Sequence, residues 1–238
     1  MRPTVPAFVP AAAALAAVAL LATGCGVSDH ELKPGVAAEV EGRQLSLGKI
    51  DRAVEDYCAL RAANPEAEPA PTALIRAQFA IGWTQAIAVE HLAPEHGVDL
   101  PTGPVASSAV HDSWDALGTI DDDNYETFEF LTWIRQRLSD PVEQLGAAES
   151  DAEGDEAVSA GITLITDWLD EHDVTFNPVF GSYDARTGAF GGDPLSVPVS
   201  GEAKAASGTA EMTPAQVAKL PADQRCGPAA APAAVPQG

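Results

Sequence analysis

The sequence is poor in positive charge. Thirteen lysines and arginines face 35 aspartates and glutamates, so the formal net charge is −22 at pH 7. Nucleic-acid binding needs cations that neutralise phosphates, and adsorption to anionic lipid needs basic segments. The charge balance therefore argues against both of these partner classes and indicates a solvated acidic surface that keeps the protein dispersed.

Catalytic and metal-binding signatures are also missing. The chain has no Gly-x-Ser-x-Gly elbow, no glycine-rich phosphate loop and no Cys-x-x-Cys pair. His91 and His96 are five residues apart and would diverge on a helix, unlike the i,i+4 pair of a zinc helix. The acidic run 121–123 lacks the glycine and the closing glutamate of a calcium loop and suits a helix N-terminus. We expect no catalytic residue, no metal ligand and no cofactor, and hence a protein that is not an enzyme.

The main apolar run, Ala11–Ala22, is shorter than the ~20 residues of a membrane-spanning helix. With Arg2 before it and small residues after it, the run has the pattern of a secretory signal peptide. Residues 22–25, Ala-Thr-Gly-Cys, resemble the lipobox of bacterial lipoproteins. That resemblance implies acyl chains on Cys25, cleavage of residues 1–24, and a protein of charge −23 anchored to the outer face of the cytoplasmic membrane. A plain signal peptide with an incidental cysteine is the alternative.

Only three cysteines are present. Besides Cys25, the chain has Cys58 in a predicted helix and Cys226 near the C-terminus. A disulfide can persist outside the cytoplasm. A Cys58–Cys226 bond would close a loop of 168 residues, which stabilises a fold by roughly 5 kcal/mol in the chain-entropy model. Two free thiols are the alternative, and neither cysteine has a metal-binding spacing.

Apolar periodicity predicts a mainly helical fold with five or six helices. Alternating apolar residues predict a first strand that enters a turn at 41–42. Ser46 is placed to cap the helix that follows, and Thr72 to cap the next. A small β-sheet would join the first strand to returning C-terminal strands. We expect helices at 47–64, 73–93, Val105–Leu117, Tyr125–Leu138 and Glu156–His172, and strands at Val36–Glu41, Val179–Tyr183 and Leu195–Val199.

The predicted helices have apolar stripes that would face the core. Pro141 is expected to break or kink the chain after the fourth helix, and residues 147–156 to form an acidic surface loop. The predicted inward residues are Leu47, Ile50, Val54, Tyr57 and Cys58 in the first helix, Leu74, Ile75, Phe79, Trp83, Ala86 and Ile87 in the second, and Val158, Ile162, Ile165, Trp168 and Leu169 in the last.

The order of these elements resembles the N-terminal domain of SurA-type proteins, which are chaperones and peptidyl-prolyl isomerases of the bacterial envelope. The resemblance rests on the strand ending in "VEG", the helix-opening "LSLGKIDRAVEDYC", a long helix and the returning piece "NPVFGSYDARTG…LSVPVS", and it covers most of residues 36–200. It implies a peptide-binding helical module in which a C-terminal segment packs against the first strand. "LPADQRCG" would anchor the tail and bring Cys226 to Cys58.

The parvulin isomerase domain of that family is not expected here. Residues 98–172 have a helical pattern throughout, and "GGDP" at 191–194 echoes a parvulin motif without the paired histidines. The predicted organisation is a signal peptide at 1–24, a tether at 25–35, a SurA-like helical domain at 36–200 and an Ala/Pro-rich, mostly disordered tail at 201–238 that Cys226 anchors.

These expectations lead to a functional hypothesis. The chain would be a lipid-anchored envelope protein that holds unfolded or secreted polypeptides without isomerase chemistry. Large flat side chains could line a groove between helices, although core packing is the ordinary role of such residues. The alternative function is a non-catalytic lipoprotein that docks one folded partner. The candidate peptide-binding residues are Phe79, Trp83, Trp133 and Trp168.

Overall fold

The computed structural model describes residues 33–184, 187–191 and 212–229, which all belong to one compact unit, Lys33–Gly238. The predicted signal peptide, the lipidation site Cys25 and the predicted strand Leu195–Val199 lie outside the described residues. Within the described ranges, no helix is both long enough and apolar enough to cross a bilayer.

The fold is mainly helical with a small antiparallel sheet, as predicted. The fourth predicted helix has the observed bounds, whereas the third is shorter than expected. The helices are α1 (Leu47–Ala63), α2 (Thr72–Glu95), α3 (Ser107–Trp114), α4 (Tyr125–Leu138), α5 (Asp140–Ser150), α6 (Asp155–Glu171) and the short α7 (Pro214–Val217); the strands are β1 (Val36–Val40), β2 (Arg43–Ser46), β3 (Ala70–Pro71), β4 (Val174–Phe176), β5 (Ser182–Asp184), β6 (Ala189–Gly191) and β7 (Arg225–Cys226).

The largest sheet has the order β2-β1-β4, with both pairings antiparallel. Glu41 and Gly42 join β1 to β2 with φ values of 48° and 76°, and positive φ at both central residues is what a tight hairpin turn of this hand requires. Ser46 then caps α1, because its side chain accepts a hydrogen bond from the Lys49 amide at 3.1 Å. The first hairpin and the helix start thus follow from local sequence.

The strand that returns to β1 is not the predicted one. Val174–Phe176 pairs with β1, whereas Ser182–Asp184 forms a separate hairpin with Ala189–Gly191. The reason is that the chain reaches β1 directly after α6 ends. Pro178, which lacks an amide hydrogen, then ends the hydrogen-bonded ladder. The segment at Val179–Tyr183 therefore begins in a 3₁₀ turn, Pro178–Phe180, rather than in a strand.

The predicted cap at Thr72 is also wrong. Thr72 is the first residue of α2, and Pro71 takes the cap position without a side-chain hydrogen bond. The chain stays extended up to Pro71 because Ala70 and Pro71 pair with Cys226 and Arg225 of β7. A contact made by residues far along the chain thus sets the start of α2.

Helices α5 and α6 pack with direct backbone contact. A Cβ atom added to Gly146 would lie 1.7 Å from the Ala157 carbonyl oxygen, and one added to Gly161 would lie 2.0 Å from the Val142 carbonyl oxygen. Pro141 stands in the first turn of α5, where proline is tolerated. Residues 147–150 belong to α5, so the predicted acidic loop begins later than expected.

This close packing also corrects the predicted inward face of α6. Ala157 and Gly161 fill the helix contact, so Val158 and Ile162 point outward with 36% and 51% of their surface exposed. Leu74 of α2, also predicted inward, is 48% exposed. The remaining apolar faces form two buried clusters, of which the larger joins β1 to α1, α2 and α4 and the smaller joins α2, α5 and α6.

We expect Gly146→Ala to destabilise the protein by about 3 kcal/mol, because the added methyl group forces α5 and α6 apart. Gly48→Ala is the matched control, since nothing lies within 4 Å of its added Cβ atom, and there we expect no loss of stability. Urea denaturation followed by circular dichroism measures both values. Equal stability of the two variants would show that the helices do not need this contact.

Candidate functional site

The four predicted peptide-binding residues are all at least partly buried. Trp83 lies in the core with 6% of its surface exposed, and Phe79, Trp133 and Trp168 are partly buried. Phe79 packs edge-on against Tyr57 at 5.3 Å between ring centroids. Each side chain thus has neighbours within the fold, and the assignment of these residues to peptide binding stays a prediction.

Trp168 has a distinctive environment between two imidazoles. The His172 ring stacks on it at 3.9 Å and the His91 ring at 5.0 Å between centroids. His172 Nδ1 donates to the Trp168 carbonyl at 2.7 Å, so this histidine satisfies a helix-end carbonyl. The contact with His91 joins the end of α6 to α2.

A different set of aromatic side chains gathers beyond β4. Phe176 lies 4.4 Å from Tyr183 and 4.9 Å from Phe190, and Phe180 lies 5.4 Å from Phe190, between ring centroids. All four rings are partly buried, and the neighbouring Val179 is 48% exposed. We name these five residues the hairpin patch. It is an apolar surface on a short projecting hairpin.

Local sequence explains how the hairpin patch forms. The Asn177 side chain accepts from the Val179 amide at 3.1 Å and donates to the Val36 carbonyl at 2.8 Å. It therefore starts the 3₁₀ turn and ties it to β1. Gly181 has a φ of 91° and Gly188 a φ of 61°, which are values that glycine adopts without strain, and these two residues bend the chain so that β5 and β6 can pair.

The hairpin patch is attached to the helical body. The Arg76 guanidinium of α2 lies 5.8 Å from the centre of the Phe180 ring and also pairs with Asp51 of α1. An arginine over an aromatic face is attracted by the ring quadrupole. One cation therefore connects α1, α2 and the hairpin patch, and it holds Phe180 in place while Val179 stays in solvent.

Tyr183 is the one member of the hairpin patch with a polar end. Its hydroxyl has no hydrogen-bond partner among the described residues. Burial raises the pKa of its phenol above 10.0, and the negative charge of Asp184 raises it further. The phenol is neutral at physiological pH, as an ordinary tyrosine is, and the raised pKa extends its neutral range to higher pH.

The described residues contain no constellation that suggests catalysis. No three histidine, cysteine, aspartate or glutamate side chains gather as metal ligands in the described ranges. Asp121 Oδ1 instead accepts from the amides of Asp123 and Asn124, which orders the chain before α4. The acidic run thus has the helix-start role expected from the sequence.

A polar cleft of about 400 Å³ lies between the segment at Asp99, α4 and α5. Arg135, Asp140 and several neutral polar groups line it, so charges of both signs face the opening. Ser139, also in the wall, donates its hydroxyl hydrogen to the Arg135 carbonyl at 2.8 Å and so serves the end of α4. The cleft has hydrogen-bonding capacity but no nucleophile paired with a base.

Comparisons with protein-family models, with curated proteins and with solved structures find no match to this chain. The assignment of a function therefore rests on the residues and geometry described above.

Sequence reasoning placed "NPVFGSYDARTG" in a returning piece and missed the hairpin patch. The detectable signal was the spacing of aromatic residues across two glycine turns, with Phe176, Phe180 and Tyr183 before the turn and Phe190 after it. Such spacing indicates a hairpin with one apolar face.

We expect Tyr183→Phe to change how stability depends on pH. The folded protein keeps the Tyr183 phenol protonated at pH values where the unfolded chain, with a pKa near 10.0, has lost that proton. This contribution is fully present below pH 10 and is lost as the pH rises through the folded-state pKa. The variant lacks the group, so the free energy of unfolding of the wild type should fall more steeply above pH 10 than that of the variant.

Chemical denaturation across this pH range tests that expectation. Tyr125→Phe, which leaves Tyr183 in place, is the control and should follow the wild type. At neutral pH, Tyr183→Phe should keep or raise stability by up to ~1 kcal/mol, because it removes an unpaired buried hydroxyl. A large loss at neutral pH would mean that the hydroxyl does have a partner.

Proposed function

We propose that this protein is a lipid-anchored cell-envelope protein that binds unfolded or secreted polypeptides through exposed apolar side chains, without isomerase chemistry. The observation that carries the proposal is the hairpin patch, four mutually packed aromatic rings beside the exposed Val179. Aromatic surface of this kind contacts apolar segments of varied sequence, because dispersion and burial are not directional.

The construction of the hairpin patch supports binding rather than a purely structural role. A three-residue hairpin by itself is marginally stable, and this one packs Tyr183 and Phe190 against rings that border the larger core cluster, while Val179 stays exposed. Large apolar groups that stay together at a surface mark interaction sites more often than scattered ones do. The neutral Tyr183 phenol adds no charge that would repel an apolar client.

Two further features support the proposed location. The Cys58–Cys226 disulfide is formed, and such bonds persist in oxidising compartments. The lipobox-like residues 22–25 precede the folded unit, and an acyl anchor on Cys25 would keep that unit at the membrane surface where secreted chains emerge. The pairing of β1 with a later strand also agrees with the arrangement that the SurA resemblance implies.

The test is suppression of aggregation. The folded unit without its lipid should slow light scattering from a denatured secreted protein when present in several-fold excess. Val179→Asp should weaken client binding about fivefold, because a carboxylate placed against apolar segments is desolvated without a partner. No suppression by the wild-type unit would contradict the proposal.

Ile162→Asp is the matched control. Ile162 is as exposed as Val179 but lies on α6, and this substitution should leave client protection unchanged. If both substitutions reduce protection equally, the effect comes from general loss of surface apolarity and not from the hairpin patch.

One observation favours the alternative, a lipoprotein that docks a specific folded partner. Val158 and Ile162 are exposed one turn apart on α6, which the backbone contact at Gly161 holds rigidly against α5. A rigid helix face suits a single partner better than varied clients. Under this alternative, Ile162→Asp abolishes capture of one protein from envelope extracts while Val179→Asp does not.

A further inference from the structure

The last described segment, residues 212–229, docks on the helical body as a separate peptide would. Its anchors are Val217, Leu220 and Cys226, which are 2%, 9% and 0% exposed. β7 pairs with β3 and packs against α1 and α2, and α7 packs against β3. The segment therefore fills a groove whose floor consists of α1 and α2 and whose rim is β3. We name this the C-terminal groove.

The segment has its own internal structure. Thr213 and Gln216 form a reciprocal capping box that starts α7, and Arg225 Nη1 donates to the Leu220 carbonyl at 2.5 Å. These hydrogen bonds lie within the segment, so they stabilise part of its conformation independently of its contacts with the helical body. The groove buries the three apolar anchors of the segment and pairs with its short strand.

The chain that leads to the rim of the groove is held without the segment. Arg61 of α1 donates from Nη2 to the Glu68 carbonyl and from Nη1 to the Tyr57 hydroxyl at 3.1 Å. Asn64 Oδ1 accepts from the Glu66 amide at 3.0 Å. Side chains of α1 and the connector thus fix the chain as far as Glu68. When residues 212–229 leave, the helical floor and this approach should keep their shape, whereas β3 loses its pairing partner.

One covalent bond holds the segment in the groove. Cys226 is fully buried whereas Cys58 is only partly buried, so Cys58 is the more exposed of the two residues that form the disulfide. Apart from this bond, the segment is held by a two-residue strand pairing and its apolar anchors. A short pairing of this kind is weak in the absence of a cross-link.

From these observations we propose that the C-terminal groove is a second polypeptide-binding site, occupied by residues 212–229 of the same chain and opened by reduction of Cys58–Cys226. The occupant that replaces the segment is a polypeptide of matching chemistry, with a short helical turn that carries the apolar anchors and a short strand that pairs with β3. The proposal goes beyond client binding by the hairpin patch and does not depend on it.

The chemical step is thiol–disulfide exchange with a dithiol. One thiolate of the dithiol attacks Cys58 Sγ, the S–S bond breaks, and Cys226 leaves as a thiolate that takes up a proton. The second thiol of the reductant then attacks the mixed disulfide and releases Cys58. Two electrons pass from the dithiol, which becomes a disulfide, and both cysteines end as thiols.

The groove sets the chemistry of the occupant. The occupant needs two apolar residues three positions apart, which would take the places of Val217 and Leu220. It also needs a small residue in the place of Cys226. Glycine is favoured next, because Gly227 has a φ of 120° and an added Cβ atom would lie 3.0 Å from the Pro69 Cα atom. Residues 212–229 have a net charge of +1, so an occupant of the same chemistry is neutral or weakly cationic.

Hydrogen exchange of the full chain, with and without dithiothreitol, tests the release step. We expect amides of 212–229 to exchange about tenfold faster after reduction while those of α1, α2 and α4 keep their protection. The Cys58→Ser/Cys226→Ser variant should match the reduced protein. Cooperative loss of protection in every helix, or no change in 212–229, would overturn the proposal by showing that the disulfide only stabilises the whole fold or does not hold the segment.

A labelled synthetic peptide of residues 212–229 with Cys226→Ala tests the groove. The released segment stays attached at a high effective concentration, so the full chain used is Cys58→Ser/Cys226→Ser with Leu220→Asp, which weakens its own segment. This variant should bind the peptide about tenfold more tightly than the oxidised wild type does. The same peptide with Leu220→Asp is the control and should not bind. Equal binding to both proteins, or binding to neither, would overturn the proposal.

Discussion

The antiparallel pairing of β1 with β4 is the contact on which the rest of this fold depends. It joins Val40 to Val174 and Ala38 to Phe176, residues separated by nearly the whole helical body. Ala37, Ala38 and Val40 are fully buried beneath the helices, so the strand is both a sheet centre and a core element. In the sequence, β1 precedes helices α1 to α6 and β4 follows them, so the pairing of these two strands closes the whole helical segment into one loop. A long-range closure of this kind costs loop entropy, which the burial of β1 must offset.

The same closure determines where polypeptide could be bound. Because Pro178 follows β4 and ends the ladder, the chain leaves the sheet and forms the hairpin patch beside β1, to which Asn177 remains bonded. The C-terminal groove has a similar origin, since a two-residue pairing between β3 and β7 seats the segment that carries Cys226. Both surfaces are thus attached by very short antiparallel pairings reinforced by one specific bond, a side-chain hydrogen bond in one case and a disulfide in the other.

The parts of this fold that follow from local sequence could be predicted. The turn at Glu41-Gly42, the Ser46 cap and the bounds of α4 depend on residues close to one another, and the structure has each of them where expected. The start of α2 and the outward face of α6 could not be predicted, because β7 decides the first and the Gly146–Gly161 contact decides the second. The hairpin patch lies between these two classes, because its aromatic spacing was detectable in the sequence whereas the bond from Asn177 to β1 was not. Its rings come together only after two glycine turns and the bond from Asn177 have placed them.

The scarcity of cations, the first property of the sequence, has a structural counterpart. Lys49, Arg61, Arg76 and Arg137 each lie over an aromatic ring, at 4.6 to 5.8 Å from its centroid. Arg137 is buried, and its Nε donates to Glu90 of α2 at 3.0 Å while its guanidinium covers Trp133. These four of the thirteen cations therefore make contacts within the fold, where they cover rings and, at Arg76 and Arg137, join helices. A surface with that charge distribution repels phosphate-rich partners and anionic headgroups. Under an acyl anchor, the same repulsion would keep the folded unit off the lipid surface and its apolar hairpin available to other polypeptides.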